Sequence, residues 1–170
     1  MNAVQATKET LGLVHEYVEA AFGDVEGETL SRVLPGATIG SIESIYLHTV
    51  AQEDWAIQEL ILGRPKLIQG GNWASRLGIT APQPGEQADF TNWNHDVAAF
   101  KEYAQAVFKA TDDYLNSITD ADLDKQIEWF GRGTRSAAWV IADTIHVHAS
   151  FHAGEISALK GVMGLKGLPW

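Results

Sequence analysis

The chain has 170 residues, 45% of them hydrophobic and 20% charged, and its 22 acidic against 12 basic side chains give a formal net charge of −10. That composition is that of one globular domain spanning 1–170. The acidic balance, with no basic cluster to offset it, argues against nucleic acid and anionic membranes as partners, since phosphate is bound by Lys and Arg.

Cysteine is absent, which excludes disulfides, thiolate metal sites and a cysteine nucleophile together. A metal would be held by nitrogen and oxygen, and any reacting thiol would arrive on another molecule. No stretch approaches the roughly 18 uninterrupted apolar residues of a membrane span. The opening residues lack the basic-then-apolar pattern of a signal peptide, so a cytoplasmic protein is expected.

Helical periodicity organises the chain. Val4, Leu11, Val14, Val18 and Ala21 recur at spacings that put one apolar stripe on a first helix. Gly23 and Gly27 interrupt it, and the stretch from Leu30 to Gly40 reads as a connection. Ser41 suits the N-cap of a second helix running to about Gly63, with Ile45, His48, Gln52, Trp55 and Glu59 on one face. Arg64 to Phe90, rich in Gly, Pro, Gln and Asn, predicts a long connection with a short helix near Asn72 to Leu77. A connection of that length inside a domain often forms a pocket wall, here with Trp73 and Trp93. A third helix is predicted from about Asn94 to Ile118, with Val97, Phe100, Ala104, Val107, Thr111 and Tyr114 inward. One extended piece is expected at Gln126 to Phe130, with no strand pairing. A fourth helix starts near Ser136 and stops at the glycines before the final LKGLPW. The fold class is all-α, a four-helix bundle.

The histidines carry the chemistry. His148 and His152 lie four residues apart, so on a helix they share a face with Cβ atoms about 5–6 Å apart. Two imidazoles at that separation can converge on one ion, although the same pair also suits a solvated patch or satisfied core residues. His48, on the apolar face of the second helix, is the natural third ligand, because an unpartnered histidine there is costly. His146 points nearly opposite to His148 and reads as an outer or interface residue, with Trp139 and Trp170 as companions. His15 and His95 read as ordinary surface or edge residues. Glu155 follows on the same stripe as the pair. It is expected either to orient an imidazole, to serve as the catalytic general base, or to stand as a plain solvated side chain. Asp54 is a candidate fourth ligand.

The segments SIYLHTVAQEDW and HVHASFHAGEI, together with the closing run GLKGLPW, resemble the DinB/YfiT-like superfamily. His48, His148 and His152 match its three-His pattern. Ala153 and Glu155 depart from it, where Arg and Gln are common. The resemblance implies a homodimer holding a divalent metal ion, zinc or nickel, in an open coordination sphere. It implies a transferase whose partners are a low-molecular-weight thiol and a small-molecule electrophile. A metal-dependent hydrolase, or a non-enzymatic stress-related binding bundle with a structural metal, are the alternatives. A di-iron carboxylate site is disfavoured, since no pair of Glu-x-x-His motifs is present.

Overall fold

In the computed structural model, which describes residues 1–168, each long helical segment opens on a side chain that caps it. Helix α1 (Ala3–Phe22) begins where the Asn2 side chain accepts from Gln5 N at 2.9 Å. After the short α2 (Glu28–Ser31), α3 (Ile42–Asp54) starts at Ser41, whose Oγ accepts from Ser44 N at 3.3 Å. It continues as a π-helical stretch over Trp55–Ile61. A short α4 (Trp73–Leu77) precedes α5 (Val97–Ser117), capped by Asp96 onto Ala99 N at 2.9 Å. The last segment is capped by Ser136 onto Trp139 N. It runs as α6 (Ala137–Ile141), a π stretch over Ala142–Val147, and α7 (His148–Val162). Such caps are each worth about 1 kcal/mol, and they start the helices within a few residues of the predicted positions. Trp170 lies outside the described residues.

The expected absence of strand pairing is overturned. Strand β1 (Gln126–Glu128) pairs antiparallel with β2 (Thr134–Ser136), Ile127 opposite Arg135. The turn between them needs left-handed backbone at Gly131 (φ +68°) and Gly133 (φ +87°), which glycine adopts without a Cβ penalty. Glu128 accepts from Gly131 N at 3.0 Å and closes it.

The stripe predicted for α1 is buried as read, with Leu11 and Ala21 at 0% exposure. Full burial of a side chain such as Leu11 contributes about 1.5–3 kcal/mol. Helix α1 packs on α7, and α3 lies against both α5 and α7. One apolar cluster gathers Phe22, Tyr46 and Phe100. Phe22 and Tyr46 stack at 4.0 Å, and Phe100 meets Tyr46 edge-on at 5.0 Å. A second cluster joins Leu11, Ile57, Leu115, Ile127 and Ile141. No helix among the described residues is long and apolar enough to cross a membrane.

Two buried charges hold the long connection down. Asp54 accepts from Leu67 N at 2.8 Å, from Ile68 N at 3.1 Å and from the Tyr103 hydroxyl at 2.7 Å. Lys66, 3% exposed, donates to Glu59 at 2.7 Å and to the carbonyls of Gln83 and Glu86. Bonding of this kind is what a buried ionisable group requires. It turns a Gly- and Pro-rich segment into a fixed wall.

Candidate metal centre

Two helices, α3 with His48 and α7 with His148 and His152, bring the three histidines together. The sequence separates His48 from the pair by a hundred positions, but packing of α3 on α7 sets their rings edge to face, with centroids 4.4–5.2 Å apart. His148 Nε2 lies 3.0 Å from His48 Nε2 and 3.1 Å from His152 Nε2. Tetrahedral ligands on a bond of about 2.05 Å sit about 3.3 Å apart. His148 Nε2 is therefore within a few tenths of an ångström of that spacing from each of its two neighbours, and all three ligand atoms lie within 4.8 Å of one another.

Glu155 does not stand free. Its Oε2 lies 2.5 Å from His152 Nδ1, which places the proton on Nδ1 and leaves the Nε2 lone pair facing the other rings. Its side chain is also 42% exposed and lines a groove, so solvent reaches it. His148 Nδ1 is buried without a hydrogen-bond partner.

The cluster sits where two grooves meet. A cavity of about 460 Å³ reaches His48 past Glu43, Thr91, Trp93 and His95. A second, of about 410 Å³, reaches it past Ile45, His152 and Glu155. They share Gly40, Ser44 and His48. Both volumes suit small molecules. Of the two tryptophans expected in the wall, Trp93 is there. Trp73 instead leans on Tyr103 at 5.8 Å, beneath the Arg76 guanidinium.

No family model and no curated protein matches the chain. A solved structure does. The crystal structure of a conserved protein from Enterococcus faecalis aligns with a TM-score of 0.79 at 19% sequence identity, over 96% of this chain and 99% of that one. The likeness is one of fold.

Burial, with the neighbouring His152 and His48 as smaller causes, pushes the His148 pKa down to about 4. His48 is exposed at the groove, not enclosed on an apolar face as its position on the second helix implied, yet partial desolvation, with His152 as a smaller cause, still lowers its pKa. Both imidazoles are therefore neutral at pH 7, the form that binds a metal. The sign for stability follows. The unfolded chain takes up a proton on His148 near pH 6.5 and the folded one only near pH 4, so its contribution is present above 6.5 and is lost as pH falls toward 4. In an NMR titration of metal-free protein, the His148 ring should still be unprotonated at about pH 5.5, a full unit below the ordinary histidine midpoint. A normal midpoint would contradict the packed cluster.

The other histidines depart from their sequence readings. His15 is not a plain surface residue: it stacks on Phe108 at 4.0 Å, and its Nε2 lies 2.9 Å from Glu53, which also accepts from Thr111 at 2.6 Å. Burial depresses the His15 pKa, but the hydrogen bond and charge of Glu53 outweigh it and the net shift is upward. Of the outer or interface positions read for His146, the outer one is not observed: it is half-buried, with Nε2 enclosed and unpartnered. The π stretch that contains it changes the residues per turn and so its direction. Asp54, engaged by the long connection, is no ligand. His95 is on the surface as read, its side chain 59% exposed, but its partner was not foreseen. Its Nδ1 lies 2.8 Å from the buried Glu43 carboxylate, on backbone with φ +57°. In the sequence Glu43 is only an acid in the first turn of a helix, and its burial, at 5% exposure, is what the structure adds.

Proposed function

We propose that this chain is a four-helix bundle of the DinB/YfiT-like kind that holds one divalent ion, zinc or nickel, on His48, His148 and His152, and acts as a cytoplasmic transferase joining a low-molecular-weight thiol to a small electrophile. The carrying observation is the convergence of three Nε2 atoms at the meeting point of two grooves. The three form the one candidate cluster among the described residues, and a site with three protein ligands leaves a position open, as catalytic sites do. Two grooves that share His48 suit two reactants brought to one centre, where proximity supplies much of the rate.

A bound divalent ion would contribute Lewis acidity, lowering the pKa of an incoming thiol or water. The chain's own groups set the rest. The three imidazoles fix the position, and Glu155 keeps His152 in the ligating tautomer. The wall formed by Trp93 and the long connection narrows the approach from one side.

A metal-dependent hydrolase is the second reading, favoured by the exposure of Glu155 to the groove. Glu155→Gln separates the two. As a positioning residue, Glu155 should cost about 10–100-fold in zinc affinity on replacement, measured by competition with a chelating dye. As the base for water it should leave affinity intact and remove esterase turnover. An unchanged affinity together with unchanged turnover would remove Glu155 from both roles.

We take the homodimer to form through the outer face of the last helical segment, where Val147 at the end of the π stretch and Phe151 and Val162 of α7 are 45%, 70% and 72% exposed. Exposed apolar side chains lined up on one helix mark such a contact. Phe151→Glu should give a monomer by light scattering. A wild type that is monomeric at high concentration would dispose of this contact.

A further inference from the structure

The charges around the mouth of the three-His cluster are one-sided. The two grooves are lined by three carboxylates, Glu43, Asp89 and Glu155, and by no Lys or Arg. Arg32 lines a neighbouring groove, which shares Ser31 with the larger one, and stands there beside Glu28. Lys66 is engaged by Glu59 and Lys160 by Asp24, both away from the cluster. A divalent ion on neutral imidazoles brings a charge of +2, and the three carboxylates bring −3. His95 is already paired with Glu43, and Asp89 is held ionised by the side chain and backbone N–H of Thr91. Beyond the mouth, the whole chain carries −10. The field therefore disfavours an anion even with the ion in place.

What remains in the larger groove is polar and aromatic. Thr91 and Ser44 donate their hydroxyl protons to Asp89 and to the Ser41 carbonyl and so offer acceptor lone pairs, Trp93 offers a ring face, and His95 a second ring nitrogen beyond the Nδ1 that meets Glu43. These recognise hydrogen-bonding, uncharged or positively charged groups.

We infer that the three-His site selects uncharged or cationic polar substrates and excludes carboxylate-, phosphate- or sulfonate-bearing ones, with the Glu43–His95 pair as the polar anchor of the larger groove. The inference rests on the metal-centre reading above and adds its substrate class. A thiol cofactor rich in hydroxyl or amine groups fits it, and one carrying several carboxylates does not.

The test uses cobalt(II)-loaded full-length protein, with mercaptoethanol and mercaptoethanesulfonate as probes that share a thiol arm and differ in charge. Visible ligand-field bands report loading first, and sulfur-to-cobalt charge-transfer absorbance then reports each thiol. Mercaptoethanol should bind about tenfold tighter at low ionic strength, a ratio that charges several ångströms apart produce near a protein surface. The ratio should shrink at about 1 M salt. Ser31 is exposed on the rim of the larger groove, and Ser31→Lys should narrow the ratio by strengthening sulfonate binding. Equal or tighter sulfonate binding at low salt would overturn the inference, as would a cobalt spectrum that neither thiol alters. Failure to load cobalt at all overturns the metal-centre reading itself, and this one with it, and is seen before any thiol is added.

Discussion

Replacing His148 by Ala should reduce zinc or nickel content from about one equivalent to almost none, an affinity loss beyond the roughly 100-fold that removal of a supporting partner costs. His148 is the middle ring: its Nε2 is within 3.1 Å of both others, so its loss leaves two nitrogens with nothing to bridge them. The helix should survive. Ala is a stronger helix former than His, and the substitution removes a buried Nδ1 that has no partner. Elemental analysis of protein purified without added metal, beside the far-ultraviolet circular dichroism of the same samples, measures both halves. His48→Ala should behave alike, and His146→Ala, which alters no atom of the cluster, should bind as the wild type does. Full metal content in His148→Ala would refute the assignment.

The second large effect lies far from the cluster. Asp54→Ala should destabilise the fold by about 3 kcal/mol or more, because two backbone N–H groups and the Tyr103 hydroxyl lose a charged acceptor in the interior. For a chain of this length that corresponds to a fall in Tm on the order of 10 °C. Burial raises the Asp54 pKa against the pull of the same hydrogen bonds, so the group enters the interior at a cost. The bonds therefore matter more than the charge, and Asp54→Asn should lose clearly less than Asp54→Ala. Calorimetry measures the difference. Equal Tm values for the wild type and Asp54→Ala would mean that the connection is not anchored there. The functional consequence follows from position. The segment that Asp54 ties down leads on to Trp93 and His95, which wall the larger groove.

The helices were legible because each begins at a Ser, Asn or Asp cap and carries its apolar residues at helical spacing. Ser41, Ser136 and the stripe from Val4 to Ala21 needed nothing from the rest of the chain. The hairpin at Gln126–Ser136 was half legible. Ile127 read as extended, but pairing depended on the left-handed turn through Gly131 and Gly133. The π stretches were not legible, since the extra residue per turn is imposed by packing and leaves no mark in composition. They redirected His146, whose sequence position implied the outer face.

The site divides in the same way. That His148 and His152 face one direction is a property of four-residue spacing on any helix, and the sequence alone determined it, together with the absence of cysteine and the excess of acid. Glu155 beside His152 is likewise a matter of three-residue spacing on one helix, whereas that His48 meets the pair and that His95 reaches Glu43 were decided by tertiary structure. Those contacts join α3 to α7 and the long connection to α3. They depend on how helices cross and on where a loop is pinned, distances that spacing along the chain does not encode.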